Sequence, residues 1–299
     1  MDAALLHFAD EAEPARRLAD ACGLPALAVE RHRFPDEELR LTLPLVEDKP
    51  PATLVLYRSL DRPNDKLVEL LLLARHARRL GVMRLVLVAP YLAYMRQDIA
   101  FHPGEIVSQT VVGGFLADLF DAVITVDPHL HRIERLDQAI PIEHAVALSG
   151  APRLAELIAE KRPEALLLGP DEEALQWVAQ AAALTGLDHA TCRKVRRGDR
   201  DVEIALPEVS VAGRRIVLMD DVASSGHTVA RAAEALLAAG ALSVDVALTH
   251  ALFAGDALAV IHAAGVEEVW STDCIAHDSN AIAMAPVLAR ALGEVLTGG

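Results

Sequence analysis

The sequence predicts an α/β protein built from two similar domains, each a mostly parallel sheet flanked by helices. Three observations predict it. Short apolar runs alternate with helical patterns along the whole chain; Ala, Leu and Val dominate while aromatic residues make up only 4%; and the strand–helix series occurs twice. Sheets covered on both faces need near-continuous aliphatic strands. Strand–helix alternation implies right-handed crossovers and a parallel order.

In the first series, "TLVLY" (53–57), "RLVLVAPY" (84–91) and "DAVITVD" (121–127) are short and apolar enough to be buried strands. Between them, "NDKLVELLLLARHARRLG" and "GEIVSQTVVGGFLADLF" carry helical spacing. "EHAVALSGAP" (143–152) is expected to connect the halves, with Ser149-Gly150-Ala151-Pro152 as turn and helix start. The second series runs through strand "EALLLGPD" (164–171), helix "EEALQWVAQAAALTG" and strand "RRIVLMDD" (214–221). A helix from His227 and strands "SVDVALTHALF" (243–253) and "VEEVWSTD" (266–273) follow. A last helix over "NAIAMAPVLARALGEVL" is assigned to the second half, so the expected domains are residues 1–148 and 149–299.

The net charge of −15 argues against nonspecific binding of nucleic acid, which needs a broad basic footprint. It leaves room for a small anionic substrate, because a local cluster such as "RKVRRGDR" (193–200) can dominate the field inside a cleft. No apolar run has the length of a membrane span, and no leader-like basic and apolar start is present. Cys22, Cys192 and Cys274 lack metal-type spacing and read as free thiols of a cytoplasmic protein.

Open α/β sheets bind ligands beyond the carboxyl ends of their strands. Here those ends carry "APYLAYMRQD", "TVDPHLHR", "LGPDEEA" and "VLMDDVASSGHT". The last is the most informative. An apolar strand delivers Asp220 and Asp221; Ala223, Ser224, Ser225 and Gly226 are small enough to wrap an anion; His227 and Thr228 open a helix. Free N–H groups at a helix start attract phosphate, whereas two carboxylates suit vicinal hydroxyls or Mg2+. A sugar phosphate has both ends.

This stretch resembles the phosphoribosyl diphosphate (PRPP) loop, Asp-Asp-x-x-x-Thr-Gly-x-Thr, with Ser225 in the first Thr position. Further matches single out one branch of the proteins that carry the loop. "RFPDEE" (33–38) is similar to Phe-Ser-Asp-Gly-Glu, "NDKLVELL" (64–71) to Asn-Asp-x-Leu-Met-Glu-Leu-Leu, "PYLAYMRQD" (90–98) to Pro-Tyr-x-x-Tyr-x-Arg-Gln-Asp, and "TVDPHLH" (125–131) to Thr-Val-Asp-Leu-His. These are segments of the ribose-phosphate diphosphokinases, and "FHPGEIVSQ" is closer to their archaeal-type branch.

The resemblance implies two phosphoribosyltransferase-like (Rossmann-like) domains, Mg2+ as cofactor, ATP and ribose 5-phosphate as substrates, and a homo-oligomer. It implies that Phe34, Asp36 and Glu38 contact adenine from a neighbouring subunit, and that Arg96, Gln97 and Asp98 line the nucleotide site. It further implies that His129 and Asp171 hold Mg2+, with His131 a second candidate, and that Lys194 and Arg196 stabilise the migrating diphosphoryl group. Asp220, Asp221 and Ser224 to Thr228 would bind ribose 5-phosphate. Charge neutralisation is what such a transfer needs from its protein. One departure bears on substrate choice: Asp171-Glu172-Glu173-Ala174 stands where many relatives have Asp-x-Gly-Gly. It keeps open a different sugar phosphate as substrate; a non-catalytic regulatory homologue is a separate alternative.

Overall fold

The computed structural model describes residues 2–45, 50–130, 132–196 and 202–298, leaving aside the side chains of 194–196, 202 and 203. The chain forms two compact units, Met1–Leu148 with Met284–Gly299, and Ser149–Ala283.

The first unit contains β1 (Ala3–His7), α1 (Ala12–Cys22), β2 (Ala26–Ala28), β3 (Glu30–Arg33), β4 (Leu39–Thr42) and β5 (Thr53–Tyr57). It continues with α2 (Pro63–Arg79), β6 (Arg84–Val88), α3 (Ser108–Leu119), β7 (Ala122–Val126) and β8 (His144–Leu148). Six strands form one parallel sheet in the order β2-β1-β5-β6-β7-β8. β3 and β4 stand apart as an antiparallel hairpin. The chain goes from β1 to one side of the sheet and resumes at β5 on the other, so the topological switch lies between β1 and β5.

Leu6, Leu54, Leu56, Leu85 and Leu87 join Leu70, Leu73 and Leu116 of the helices in one core. Their alternates Leu5, Val55 and Val86 are also buried. Burial on both faces is the reason these strands read as unbroken apolar runs. α2 starts on Pro63, whose missing N–H costs nothing at that position. His76, Arg78 and Arg79 sit in its last turn, where cations suit the helix dipole.

The second unit contains α4 (Ala151–Lys161), β9 (Leu166–Gly169), α5 (Leu175–Thr185), β10 (His189–Thr191), β11 (Arg193–Arg196), β12 (Val202–Ala205) and β13 (Arg215–Val222). After these come α6 (His227–Ala238), β14 (Ser243–His250), α7 (Ala257–Ala263), β15 (Val269–Thr272) and β16 (Asn280–Ile282). Its parallel sheet has the order β10-β9-β13-β14-β15-β16, which repeats the plan of the first unit. The switch here lies between β9 and β13. Leu166, Leu168, Ile216 and Leu218 face one core, with α6 and α7. Leu167, Val217 and Met219 face another, with α4 and α5.

Several expectations need correction. The last helix, α8 (Ala285–Thr297), belongs to the first unit rather than to a domain running to 299. It packs against α1, β7 and β8, and Cys22 Sγ reaches Ala289 O at 4.0 Å. The residues before it, Asn280–Ile282, are strand β16 instead of its first turn. "EHAVAL" is not a bare connection but contains β8, the edge strand. The half-exposed burial of an edge removes the continuous apolar signal. The run 193–200 begins as β11, paired with β12 so that Lys194 faces Ile204 and Arg196 faces Val202. Residues 197–200 of that run are outside those described.

Candidate active site

In the first unit, the carboxyl ends of β6 and β7 lead into a cleft of about 250 Å3 lined by Tyr91, Tyr94, Arg96, Gln97, Ser108 and His129. Three of the expected nucleotide and metal residues, Arg96, Gln97 and His129, therefore share one concavity. Gln97 is held from the helix behind it: Ser108 Oγ donates to its Oε1 at 2.7 Å, and the Gln109 N–H donates to its carbonyl at 3.2 Å. Gln109 Nε2 donates to Met95 O at 3.0 Å, which pins the same loop at a buried point. Arg96 is exposed on the cleft wall.

The side chain of Asp98 is 2% exposed and pairs with Arg132 at 2.6 Å. Its Oδ2 is buried and makes no hydrogen bond among the described residues. Asp98, expected to line the nucleotide site, is therefore held on Arg132 and is not among the residues that line the cleft. Two non-glycine residues near the cleft hold positive φ, Tyr94 at 65° and Asp127 at 36°. Tyr94 Oη donates to Asn64 Oδ1, and the Asp127 N–H donates to Leu148 O at 2.8 Å. Backbone strain held in place by the surroundings gathers at functional loops. Arg132, Ser108 and Asn64 support the cleft although the sequence did not single them out. Arg132 lies inside the quoted "TVDPHLHR" and Asn64 inside "NDKLVELL". His131 is outside the described residues.

Phe34, Asp36 and Glu38 lie at the tip of the β3–β4 hairpin. The Glu37 N–H donates to Phe34 O and the Phe34 N–H to Glu38 O, each at 2.9 Å. Glu37 has φ 71°. This is a four-residue turn with Pro35 in its second position, closed by a bulge whose left-handed residue is normally glycine. Phe34 is 38% exposed, meets the His32 ring edge-on at 4.7 Å and has Arg40 6.0 Å from its centroid. Glu37→Gly is expected to relieve the left-handed strain and raise stability by about 0.5–1 kcal/mol. Urea unfolding measures this, and an unchanged or lower midpoint would count against it.

In the second unit, the expected sugar-phosphate loop sits at the switch point, between the ends of β9 and β13. Asp221 is 2% exposed, while Asp220 is half-buried. Burial, then the neighbouring carboxylates of Asp221 and Asp171, push Asp220 well above the ordinary carboxylate range. The site thus concentrates negative charge that a hydroxyl donor or cation would relieve.

The Asp171 carboxylate accepts the Glu173 N–H at 3.0 Å and caps the short turn before α5. Glu172 and Glu173 are exposed. Asp171 is therefore the buried acid of "PDEEA", and the two glutamates stand in solvent. His129 belongs to the first unit and Asp171 to the second.

Gly226 caps α6 with φ 74° and offers no side-chain acceptor to the first N–H groups. A Cβ there would meet Ala257 O at 2.8 Å and Ile261 Cγ1 at 3.1 Å. The loop is stitched to the segment before α7: Phe253 N–H donates to Ala223 O at 3.0 Å, and Ala254 N–H to Ser224 O at 2.8 Å. Ser225 and His227 are exposed, Ser224 and Thr228 half-buried. Cys192, fully buried behind the site, has its thiol pushed up to about 11 by burial and the nearby Asp171 carboxylate. It is expected to resist alkylation at neutral pH in the folded protein. Mass spectrometry after iodoacetamide treatment checks this, and rapid labelling of Cys192 would contradict it.

Comparison with known proteins accords with this architecture. The family described as the N-terminal domain of ribose phosphate pyrophosphokinase matches residues 3–119, and the phosphoribosyl transferase domain matches residues 144–271. A ribose-phosphate pyrophosphokinase of Methanopyrus kandleri is 34% identical over 287 residues, covering 95% of this chain and 96% of the relative. The chain belongs to the ribose-phosphate pyrophosphokinase family. A pyrophosphokinase relative from Halobacterium salinarum is also 34% identical, covering 96% of this chain and 100% of its own. Both are archaeal, in line with the archaeal-type pattern of "FHPGEIVSQ". The phosphoribosylpyrophosphate synthetase structure from Mycobacterium smegmatis superposes with a TM-score of 0.83 over all of both chains, at 22% identity, so the pyrophosphokinase fold is shared.

Proposed function

We propose that this chain transfers the β,γ-diphosphoryl group of ATP to the anomeric hydroxyl of ribose 5-phosphate. The observation that carries this reading is the loop at the second unit's switch point, where the Asp220–Asp221 pair is followed directly by the Gly226-capped start of α6. The hydroxyl oxygen bonds to the β-phosphorus while the bond from that phosphorus to the bridging oxygen breaks. AMP leaves with the bridging oxygen, PRPP remains, and the hydroxyl proton is released to solvent.

Asp220 and Asp221 take the ribose hydroxyls, and the N–H groups and hydroxyls from Ser224 to Thr228 take the 5-phosphate. Phe34, Asp36 and Glu38 of a neighbouring subunit contact adenine, which makes the active form at least a homodimer; the exposed Phe34 ring supports this. Arg96 and Gln97 line the nucleotide cleft, beside which Asp98 is buried on Arg132, and the fork of Arg96 can hold two phosphate oxygens. Lys194 and Arg196, on β11, neutralise charge on the migrating group.

Mg2+ supplies neutralisation of the triphosphate. Among the described residues no three His, Cys, Asp or Glu side chains gather to hold a metal. His129, in the first unit, and Asp171, in the second, are the residues assigned to Mg2+. No described helix is long and apolar enough to cross a membrane, and the three free cysteines support a cytoplasmic setting.

The test is one assay. Purified protein with Mg2+, ATP and ribose 5-phosphate is expected to form AMP and PRPP in equal amounts. ATP binding without AMP above background would favour a non-catalytic homologue, and AMP formation only with another pentose phosphate would redirect the substrate.

A further inference from the structure

The first unit repeats the plan of the second, yet its switch point is filled by its own side chains. Arg58, at the end of β5, is 1% exposed and lies 4.3 Å over the Phe8 ring at the end of β1. Its Nη1 donates to Asp10 and to Glu11, each at 3.0 Å. Its Nε donates to Glu69 Oε2 at 2.8 Å, and its Nη2 lies 2.6 Å from the same oxygen. Lys66 Nζ donates to Glu11 Oε1 at 3.3 Å, to Ser59 O at 2.7 Å and to Asp61 at 2.5 Å. Where an α/β sheet ordinarily opens to a ligand, this unit holds a closed ionic network.

One branch of the network runs outward to the hairpin. Glu69 is fully buried, and its second oxygen accepts from Arg31 Nη1 at 2.7 Å. Arg31 stands on β3, also lies 3.7 Å from Asp10, and is about one-third exposed. Two residues on, Arg33 donates to Asp65 at 2.6 Å. Two residues of strand advance about 6.6 Å and four residues of helix about 6 Å, so Arg31 and Arg33 match Asp65 and Glu69 in register. The inner pair is half-buried, with Glu69 resting on Arg58, while the outer is exposed and screened by water. Phe34 follows Arg33 directly.

We propose that Arg31 is a positioning residue: through Glu69 and Arg58 it fixes the β3–β4 hairpin, and so sets the orientation of the tip that meets the nucleotide base. The ionic filling of the first switch point thereby serves the nucleotide site in place of a second sugar-phosphate site. This rests on the reading of Phe34, Asp36 and Glu38 as base contacts.

The test compares Arg31→Gln with Arg31→Lys in the full-length protein. Amide exchange across residues 30–42 reads the position of the hairpin, and ATP titration without ribose 5-phosphate reads the base contact. Faster exchange in Arg31→Gln with ATP affinity about 10-fold weaker, both largely restored in Arg31→Lys, is the expected result. In steady state KM for ATP should rise while kcat at saturating ATP and KM for ribose 5-phosphate stay within twofold. Unchanged exchange overturns the proposal, as does faster exchange with ATP affinity intact. Absence of turnover in the wild-type protein would instead count against the proposed reaction, because exchange and ATP binding are both read without turnover.

Discussion

Arg58→Met is expected to destabilise the first unit by about 3–5 kcal/mol. The change roughly keeps the side-chain volume but leaves the carboxylates of Asp10, Glu11 and Glu69, among the described residues, to Arg31 and to a Lys66 shared with Asp61. Breaking a buried ion pair from one side strands a charge in a poorly solvated place, and such losses fall in that range. Glu11 already has its carboxyl raised by burial, against the lowering effect of Arg58 and Lys66.

The pH dependence follows from that direction. A carboxyl raised on folding stabilises the folded state below its unfolded value, and that stabilisation is lost as pH rises through the folded value. Without Arg58 the rise is larger, so the deficit relative to wild type should shrink on going from neutral pH towards pH ~5. Urea unfolding at the two pH values measures it. A loss below about 1 kcal/mol, or a deficit that grows in acid, would show that the network does not carry the stability assigned to it.

Gly226→Ala is expected to cost about 2–4 kcal/mol, shared between folding and binding of ribose 5-phosphate. About 1 kcal/mol comes from placing a Cβ in the left-handed region. The rest is overpacking, since that Cβ meets the Ala257 carbonyl at 2.8 Å and Ile261 at 3.1 Å. Ala257 O is backbone within α7, so relief requires the loop to lift away from that helix. The Phe253–Ala223 and Ala254–Ser224 hydrogen bonds resist this. A lifted loop misplaces the N–H groups of His227 and Thr228, so affinity for ribose 5-phosphate should fall about 10–100-fold. Calorimetric titration with ribose 5-phosphate reads the loss, with ATP affinity as the internal control. Unchanged affinity for the sugar phosphate would remove Gly226 from the site.

Most strands of both sheets were legible because they are buried on both faces. "TLVLY" and "RRIVLM" have no polar interruption to confuse with a helix or loop. β1 is not legible although "AALLH" is entirely buried, because five residues before an acidic helix carry little periodic signal. β8 and the β3–β4 hairpin are illegible for the opposite reason: their residues are half or fully exposed, so no buried apolar run marks them. Arg96, Gln97 and His129, expected from separate segments, line one cleft. The supports were not legible, since Arg132 for Asp98 and Arg31 for Glu69 come from 34 and 38 positions away in the chain.

By itself, the sequence places a carboxylate pair before a small-residue turn and a helix start, together with the segments that mark the family. Those properties depend on residue type and short spacing, which folding does not alter. Tertiary structure decided where α8 packs, that Arg58 fills the switch point of the first unit, and that Glu172 and Glu173 face solvent while Asp171 is buried. Each of these depends on which surface covers another. An apolar helix face or a charged side chain carries no record of its partner until the chain has closed around it.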